Sequence, residues 1–209
     1  MNKNIDKILK LLTKEYGPAR TDLRHKDPFQ LLVATILSAQ CTDERVNKVT
    51  PGLFKKYPSV KDFAKAKQDK LEEDIRSTGF FRNKAKNIIG SAKKIISDFN
   101  GSVPDNMDEL ITLPGVARKT ANVLLGNSFG KTEGIVVDTH VLRLSQRLGF
   151  SKNKTADKVE RDLMKIIPEK SWIDLPHQLI LHGRRICKAR KPECGICMLE
   201  EYCPKVGIK

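Results

Sequence analysis

The sequence has no apolar run approaching the ~20 residues that a membrane-spanning helix requires; its longest is the short region from Phe29 to Leu37. No membrane role is expected. Met1 to Lys10 hold neither a continuous apolar core nor an Arg/Ser-rich transit pattern, so a cytoplasmic protein is expected. No Gly-, Ser- or Pro-rich linker and no low-complexity segment divides the chain, which leaves domain boundaries invisible to composition. Strand signals are as scarce: Ile135-Val136-Val137 is the single β-like run, and one run cannot make a sheet. Cysteine is almost missing from the first 186 residues, where Cys41 stands alone, yet four of the five cysteines fall in the last 23. Without an export signal, such clustering reads as metal ligation more readily than as disulfides. Acidic residues are outnumbered, 25 against 39 Lys+Arg, for a net charge of +14. That balance favours a polyanion through counterion release and steering, with nucleic acid the first candidate. A merely solvated basic surface would give the same number, so charge needs a site beside it.

What is present is helix. The chain's 209 residues, 39% of them hydrophobic, can bury the core of one large or two modest domains. Ile5, Ile8, Leu11 and Leu12 share one face. Residues 28 to 40 open on Pro28 and are apolar nearly all round, as in a helix buried within a bundle. Over 84 to 99, Ala85, Ile88, Ile89, Ala92, Ile95, Ile96 and Phe99 form a stripe expected to lie opposite Lys84, Lys86, Lys93, Lys94 and Asp98, with Asn100-Gly101 as the stop. Further helices are expected over 42–56, 60–77, 107–113, 118–128, 139–148, 155–167 and 172–186. The fold class is therefore all-α.

Residues 108 to 128, DELITLPGVARKTANVLLGNS, read as a short helix, a tight turn at Leu113-Pro114-Gly115-Val116 and a second helix from about Arg118. Pro114 fixes φ and Gly115 lets the backbone approach a ligand, so amides at the second helix's start can face one phosphate. Such a contact positions nucleic acid without reading its sequence. An ordinary helical hairpin would look alike. Lys119 lies in the first turn of the second helix, and Asp138 follows 19 positions later in GIVVDTH. A lysine nucleophile must be unprotonated, and both the positive helix end and Arg118 act against the ammonium form. Asp138 precedes Thr139 and a new helical pattern, which makes it a natural N-cap. Taken singly, Lys119 could be a solvent or phosphate lysine and Asp138 a cap and nothing more.

Cys187, Cys194, Cys197 and Cys203 are spaced C-x6-C-x2-C-x5-C. Four thiolates this close can hold a [4Fe–4S] cluster, though the spacing alone also admits tetrahedral zinc. Cys41, in SAQCTD, is read as a small buried residue.

Together, LPGVARKTANVLLGNSFG, VVDTH and the cysteine run resemble the helix-hairpin-helix base-excision glycosylases, and within them the endonuclease III family, over most of the chain. The resemblance implies that the cysteines hold a [4Fe–4S] cluster, which would lower the effective charge to about +12. It implies that Lys119 attacks deoxyribose C1′, displaces the base and forms a Schiff base that undergoes β-elimination. Asp138 would assist deprotonation or offset charge on the oxocarbenium-like sugar. Duplex DNA with damaged bases or abasic sites becomes the expected partner, oxidised or ring-damaged pyrimidines the expected substrates, and a monomer the expected state. DNA contacts would fall on Leu113, Gly115, Val116, Ala117 and Arg118 of the hairpin, on Thr139 and His140, and on Lys188, Arg190 and Lys191 between the first two cysteines. Because a stacked base hides its glycosidic bond, Gln40 and Phe80 would fill the gap it leaves; the ordinary alternative makes Phe80 and Phe81 core residues. Residues 22–132 would form a six-helix domain, residues 1–21 with 133–209 the cluster domain, and DNA would lie in the groove between them.

The chain departs from the family pattern in three places. Ala117 stands where a second hairpin glycine is common, Ile111-Thr112 replaces a frequent glutamate, and Phe80 replaces an aliphatic wedge. If residue 117 required φ > 0, Ala would cost about 1 kcal/mol. Two rivals remain: a mismatch-specific adenine or thymine glycosylase of the same fold, disfavoured by Lys119, and a non-catalytic DNA-binding or redox-sensing module.

Overall fold

The computed structural model describes residues 4–18 and 20–208. Among them there is no strand, and no helix is long and apolar enough to cross a membrane. In chain order the α-helices are α1 (Ile5–Tyr16), α2 (Pro28–Ser38), α3 (Asp43–Lys56), α4 (Val60–Lys65), α5 (Gln68–Ile75) and α6 (Phe81–Asp98). There follow α7 (Met107–Leu110), α8 (Arg118–Leu124), α9 (Thr139–Arg147), α10 (Ala156–Ile166) and α11 (Asp174–Arg185). They divide into two compact units, Thr21–Lys131 and a discontinuous one made of Met1–Arg20 with Thr132–Lys209.

In the Thr21–Lys131 unit, Asp27 starts α2 by accepting from the Gln30 amide at 2.8 Å, and Pro28 supplies a first helical φ without needing a donor. Leu31, Leu32, Ala34 and Leu37 are fully buried, with Phe29, Val33 and Ile36 nearly so, so the helix is covered on most sides. Phe63 anchors one side of this core, its ring edge-on to Phe29 at 5.4 Å and to Phe54 at 6.4 Å and tilted on Tyr57 at 5.1 Å.

Four expectations need correction here. The 60–77 helix is broken at Ala66 and Lys67, both extended. A continuous helix would place Lys67 on the line from Phe63 to Leu71, facing the core; the break turns it into solvent while both apolar side chains stay buried. Lys84 does not lie opposite the α6 stripe but is buried within it, one turn before Ile88. Ile96, expected in that stripe, is 36% exposed. The 107–113 helix stops at Leu110, because the amides of Thr112 and Leu113 bond back three residues to Glu109 and Leu110 and tighten the turn ahead of Pro114.

In the other unit, α1 buries Ile8 and Leu12 in a core shared with Leu144 of α9, Leu163 of α10 and Leu175 and Leu179 of α11. Gln178 Nε2 donates to the Gly17 carbonyl at 2.9 Å, holding the end of α1 to α11. The strand-like run is an extended lead-in to α9 whose Ile135 and Val137 point inward, a period of two without a partner strand.

Truncating the fully enclosed Phe63 to Ala should lower unfolding free energy by about 3–5 kcal/mol, measured as a fall in the urea midpoint with the m-value unchanged.

Candidate functional site

The hairpin is set on α6. Gly115 has φ +79°, and a β-carbon there would come within 2.9 Å of Asn87 Cβ. Ser91 Oγ donates to the Pro114 carbonyl at 2.7 Å, and a β-carbon at Gly90 would meet Pro114 Cγ at 3.1 Å. Asn87, Gly90 and Ser91 thus form the shelf that holds the turn, a role the sequence alone did not reveal. Leu113 and Val116 point inward, and the Val116 amide is bonded to the Leu113 carbonyl at 3.1 Å. Gly115, Ala117, Arg118 and Lys119 are exposed. Ala117 sits at φ −95°, ψ 169°, extended backbone that any residue adopts, so the missing second glycine costs nothing here. Its carbonyl accepts from the Ala121 amide at 2.9 Å, which is the first turn of α8. Lys119 projects from that turn.

In the discontinuous unit Asp138 is the N-cap of α9, its Oδ1 accepting from the Val141 amide at 2.8 Å. The cap occupies one carboxylate oxygen and fixes the side chain at the helix mouth, with Thr139 exposed and His140 half-buried after it. Burial pushes the His140 pKa down. Its Nδ1 lies 3.2 Å from Arg143 Nη2, so the hydrogen-bond pattern assigns its proton to Nε2. Arg143 Nη2 also donates to the carbonyls of Gly183 and Cys187 at 3.2 Å each, and Gly183 leaves the room for it: a β-carbon there would lie 2.9 Å from that nitrogen.

One apolar pocket is lined by all four clustered cysteines, with Leu144, Leu148, Ile186 and Leu199 among its walls. Donors converge on the sulfurs: Arg147 Nη1 on Cys187 at 3.3 Å, the Leu199 amide on Cys197 at 3.4 Å and the Lys205 amide on Cys203 at 3.4 Å. His182 is buried, with its pKa pushed down to about 4 by desolvation. Its Nδ1 is 2.9 Å from the Tyr16 hydroxyl and its Nε2 3.5 Å from Cys197 Sγ, a neutral ring able to donate to sulfur. Burial pushes the Cys197 and Cys203 thiols up, so binding of iron here would displace protons, and the N–H donors would stabilise the resulting thiolates. The donor set, four thiolates in an apolar, N–H-lined pocket, suits an iron–sulfur cluster. Between the first two cysteines, Arg147 holds the carbonyls of Lys188 and Ala189 at 2.8 and 3.0 Å. Lys188, Arg190 and Lys191 stand exposed on that loop, Lys188 paired with Glu193.

Gln40 and Phe80 are both exposed, Phe80 at 63%, and both are non-glycine residues with positive φ, 53° and 48°. Phe80 is therefore not a core residue, whereas the half-buried Phe81 packs against the core. Cys41 is also half-buried against it.

A helix-hairpin-helix in one unit, with an N-capping aspartate and a four-thiol pocket in the other, defines a class, the helix-hairpin-helix base-excision repair proteins. The model of the HhH-GPD superfamily base excision DNA repair protein matches residues 33–169, and that of the iron-sulfur binding domain of endonuclease III matches residues 187–203. Endonuclease III of Synechocystis sp. is 57% identical over 197 residues, 94% of this chain and 90% of that protein. A non-covalent endonuclease III–DNA complex and a trapped endonuclease III–DNA covalent intermediate each superpose with TM-score 0.90 at 46% identity, covering 98% of this chain and 96% of theirs. A thermostable thymine-DNA glycosylase, 24% identical with TM-score 0.86 over 97% of this chain and 96% of that one, shares the fold. The chain belongs to the endonuclease III family, as a bifunctional DNA glycosylase and abasic-site lyase of base-excision repair that carries a [4Fe–4S] cluster.

Cys197→Ser should abolish the visible absorbance of the cluster. Hydrogen exchange should then quicken over 187–208, whose fold is mostly short turns, while the helices of the Thr21–Lys131 unit keep their protection.

Proposed function

We propose that the chain removes oxidised or ring-damaged pyrimidines from duplex DNA, with Lys119 as nucleophile and Asp138 as its electrostatic partner. The observation that carries this reading is Lys119 itself, an exposed amine in the first turn of α8, directly after the turn built by Pro114 and Gly115. Its Nζ attacks C1′ of the deoxyribose as the glycosidic bond breaks and the damaged base departs. Opening of the C1′–O4′ bond leaves an imine between Nζ and C1′. Loss of a C2′ proton then expels the 3′ phosphate by β-elimination, and water releases the amine. The Asp138 carboxylate, one oxygen bonded to the Val141 amide, keeps the other to offset positive charge on the sugar or take a proton.

DNA backbone contacts divide by exposure. With Leu113 and Val116 buried and the Val116 amide already used, the hairpin acts through the main chain of Gly115, Ala117 and Arg118 and through the Arg118 side chain. Thr139 and the Nε2–H of His140 donate from the start of α9. Lys188, Arg190 and Lys191 add charge from the loop that Arg147 shapes. Gln40 and Phe80 occupy the space of the extruded nucleotide, an aromatic ring stacking on the orphaned neighbours. The net charge of +14 would keep the protein on chromosomal DNA, in the cytoplasm, between lesions.

Incubated with a duplex carrying one thymine glycol and treated with borohydride, the wild type should give a covalent protein–DNA band that Lys119→Gln lacks. An undiminished band in Lys119→Gln, or tight binding by the wild type with no band on any lesion tried, would refute the lysine chemistry and leave the binding-module reading. Asp138→Asn keeps an N-cap oxygen and should slow base release about 100-fold with duplex affinity near that of the wild type. Gly115→Ala, strained by its φ and pressed on Asn87, should weaken duplex affinity about tenfold in anisotropy titrations without changing the rate of the bound complex.

A further inference from the structure

Lys84 is 4% exposed, and its Nζ donates to two main-chain carbonyls, Leu37 and Thr78, each at 2.8 Å. Leu37 lies in the last turn of α2, three residues before Gln40. Thr78 ends the short 3-10 turn Arg76–Thr78, two residues before Phe80. Carbonyls at a helix end have no intrahelical donor, so a side-chain cation can satisfy them. Here one ammonium does so for two separate segments, and each segment then leads into an exposed residue with positive φ. Such a backbone persists only where its surroundings over-determine it. Main-chain bonds from the Cys41 amide to Ser38 and from the Lys84 amide to Phe80 brace each turn on its own, but Lys84 Nζ is bonded to both.

We infer that Lys84 is a positioning residue that sets the spacing of Gln40 and Phe80, and so governs how the enzyme holds a base pair open. The inference rests on the reading of Gln40 and Phe80 as gap-filling residues. Energetics favour it over a purely architectural role. Burial works against the ammonium form of Lys84, and among the described residues it is held by carbonyl dipoles rather than by a carboxylate. An apolar side chain of the same length would fill the site without that desolvation, but would leave the two segments unconnected and their carbonyls without a donor.

The test compares excision of one lesion in two settings, a fully paired duplex and a single-nucleotide bulge, where the lesion has no partner to orphan. Lys84→Met should cut single-turnover excision from the paired duplex about 100-fold and leave the bulged substrate near the wild-type rate. A 2-aminopurine opposite the lesion should lose the fluorescence rise that reports its unstacking. In a Gln40→Ala/Phe80→Ala background, Lys84→Met should add nothing further. Equal losses on both substrates, or additive losses in the combined variant, would make Lys84 an ordinary fold residue. If Lys84→Met does not fold, Lys84→Gln, which retains a donor, serves in its place, with a smaller loss confined to the paired duplex expected. Should the Gln40→Ala/Phe80→Ala variant excise the paired lesion normally, the gap-filling reading falls and the clamp with it; should it fail while Lys84→Met works normally, the clamp alone falls.

Discussion

The Thr21–Lys131 unit depends on the burial of α2. A helix apolar on nearly every side cannot exist in water unless other elements cover it, and α3, α6 and α8 are the elements that pack on it. Of these helices, α2, α6 and α8 carry or adjoin the exposed residues proposed to meet DNA: Gln40 at the exit of α2, Phe80 at the entrance of α6 and Lys119 in the first turn of α8. The hydrophobic requirement of one sequence segment thereby fixes the origin of three chemically different side chains. Rigidity at their bases comes from packing, and their exposure comes from the turns that end each helix.

Helix α9 plays a comparable part in the discontinuous unit. Asp138 caps its start, His140 and Arg143 follow one turn in, and Arg147 ends it. Arg143 and Arg147 together hold the main chain from Cys187 to Ala189, and Arg147 also donates to the Cys187 sulfur. A single rod of nine residues therefore connects the candidate acid–base group to the first of the four clustered cysteines and to the basic loop beyond it.

Much of this was legible in the sequence, and the parts that were not have a common physical origin. Periodicity located the long helices to within a few residues, since an apolar stripe is a local property. The cysteine spacing and the Pro-Gly turn were legible for the same reason. Lys84 was misread because a charged residue is assigned to solvent by default, whereas the carbonyls that hold it belong to residues 6 and 47 positions away. The break at Ala66 and Lys67 in the expected 60–77 helix was hidden for another reason, since no Pro or Gly announces it. Phe80 shows the converse of Lys84, a large apolar side chain in water whose exposure is set by a left-handed backbone that composition cannot express. The shelf of Asn87, Gly90 and Ser91 was invisible because its function is shape, and only Gly115 and Pro114 give it meaning.

The interruption of one unit by the other bears on the order in which the chain can assemble during synthesis. Tyr16 must meet His182, 166 positions later, and Gln178 must reach the end of α1, so α1 waits for most of the chain to be made. Closing a loop of that length from a random coil would carry a large entropic cost. The intervening unit removes much of it, because the Thr21 amide bonds to Asn127 Oδ1 at 3.0 Å and so brings its own two ends together once it has folded. Folding at the ribosome would then run from the inserted unit outward, with the four clustered thiols emerging after it. Iron delivery would then come after the inserted unit has folded, to a chain whose α8, with Lys119 in its first turn, is already in place.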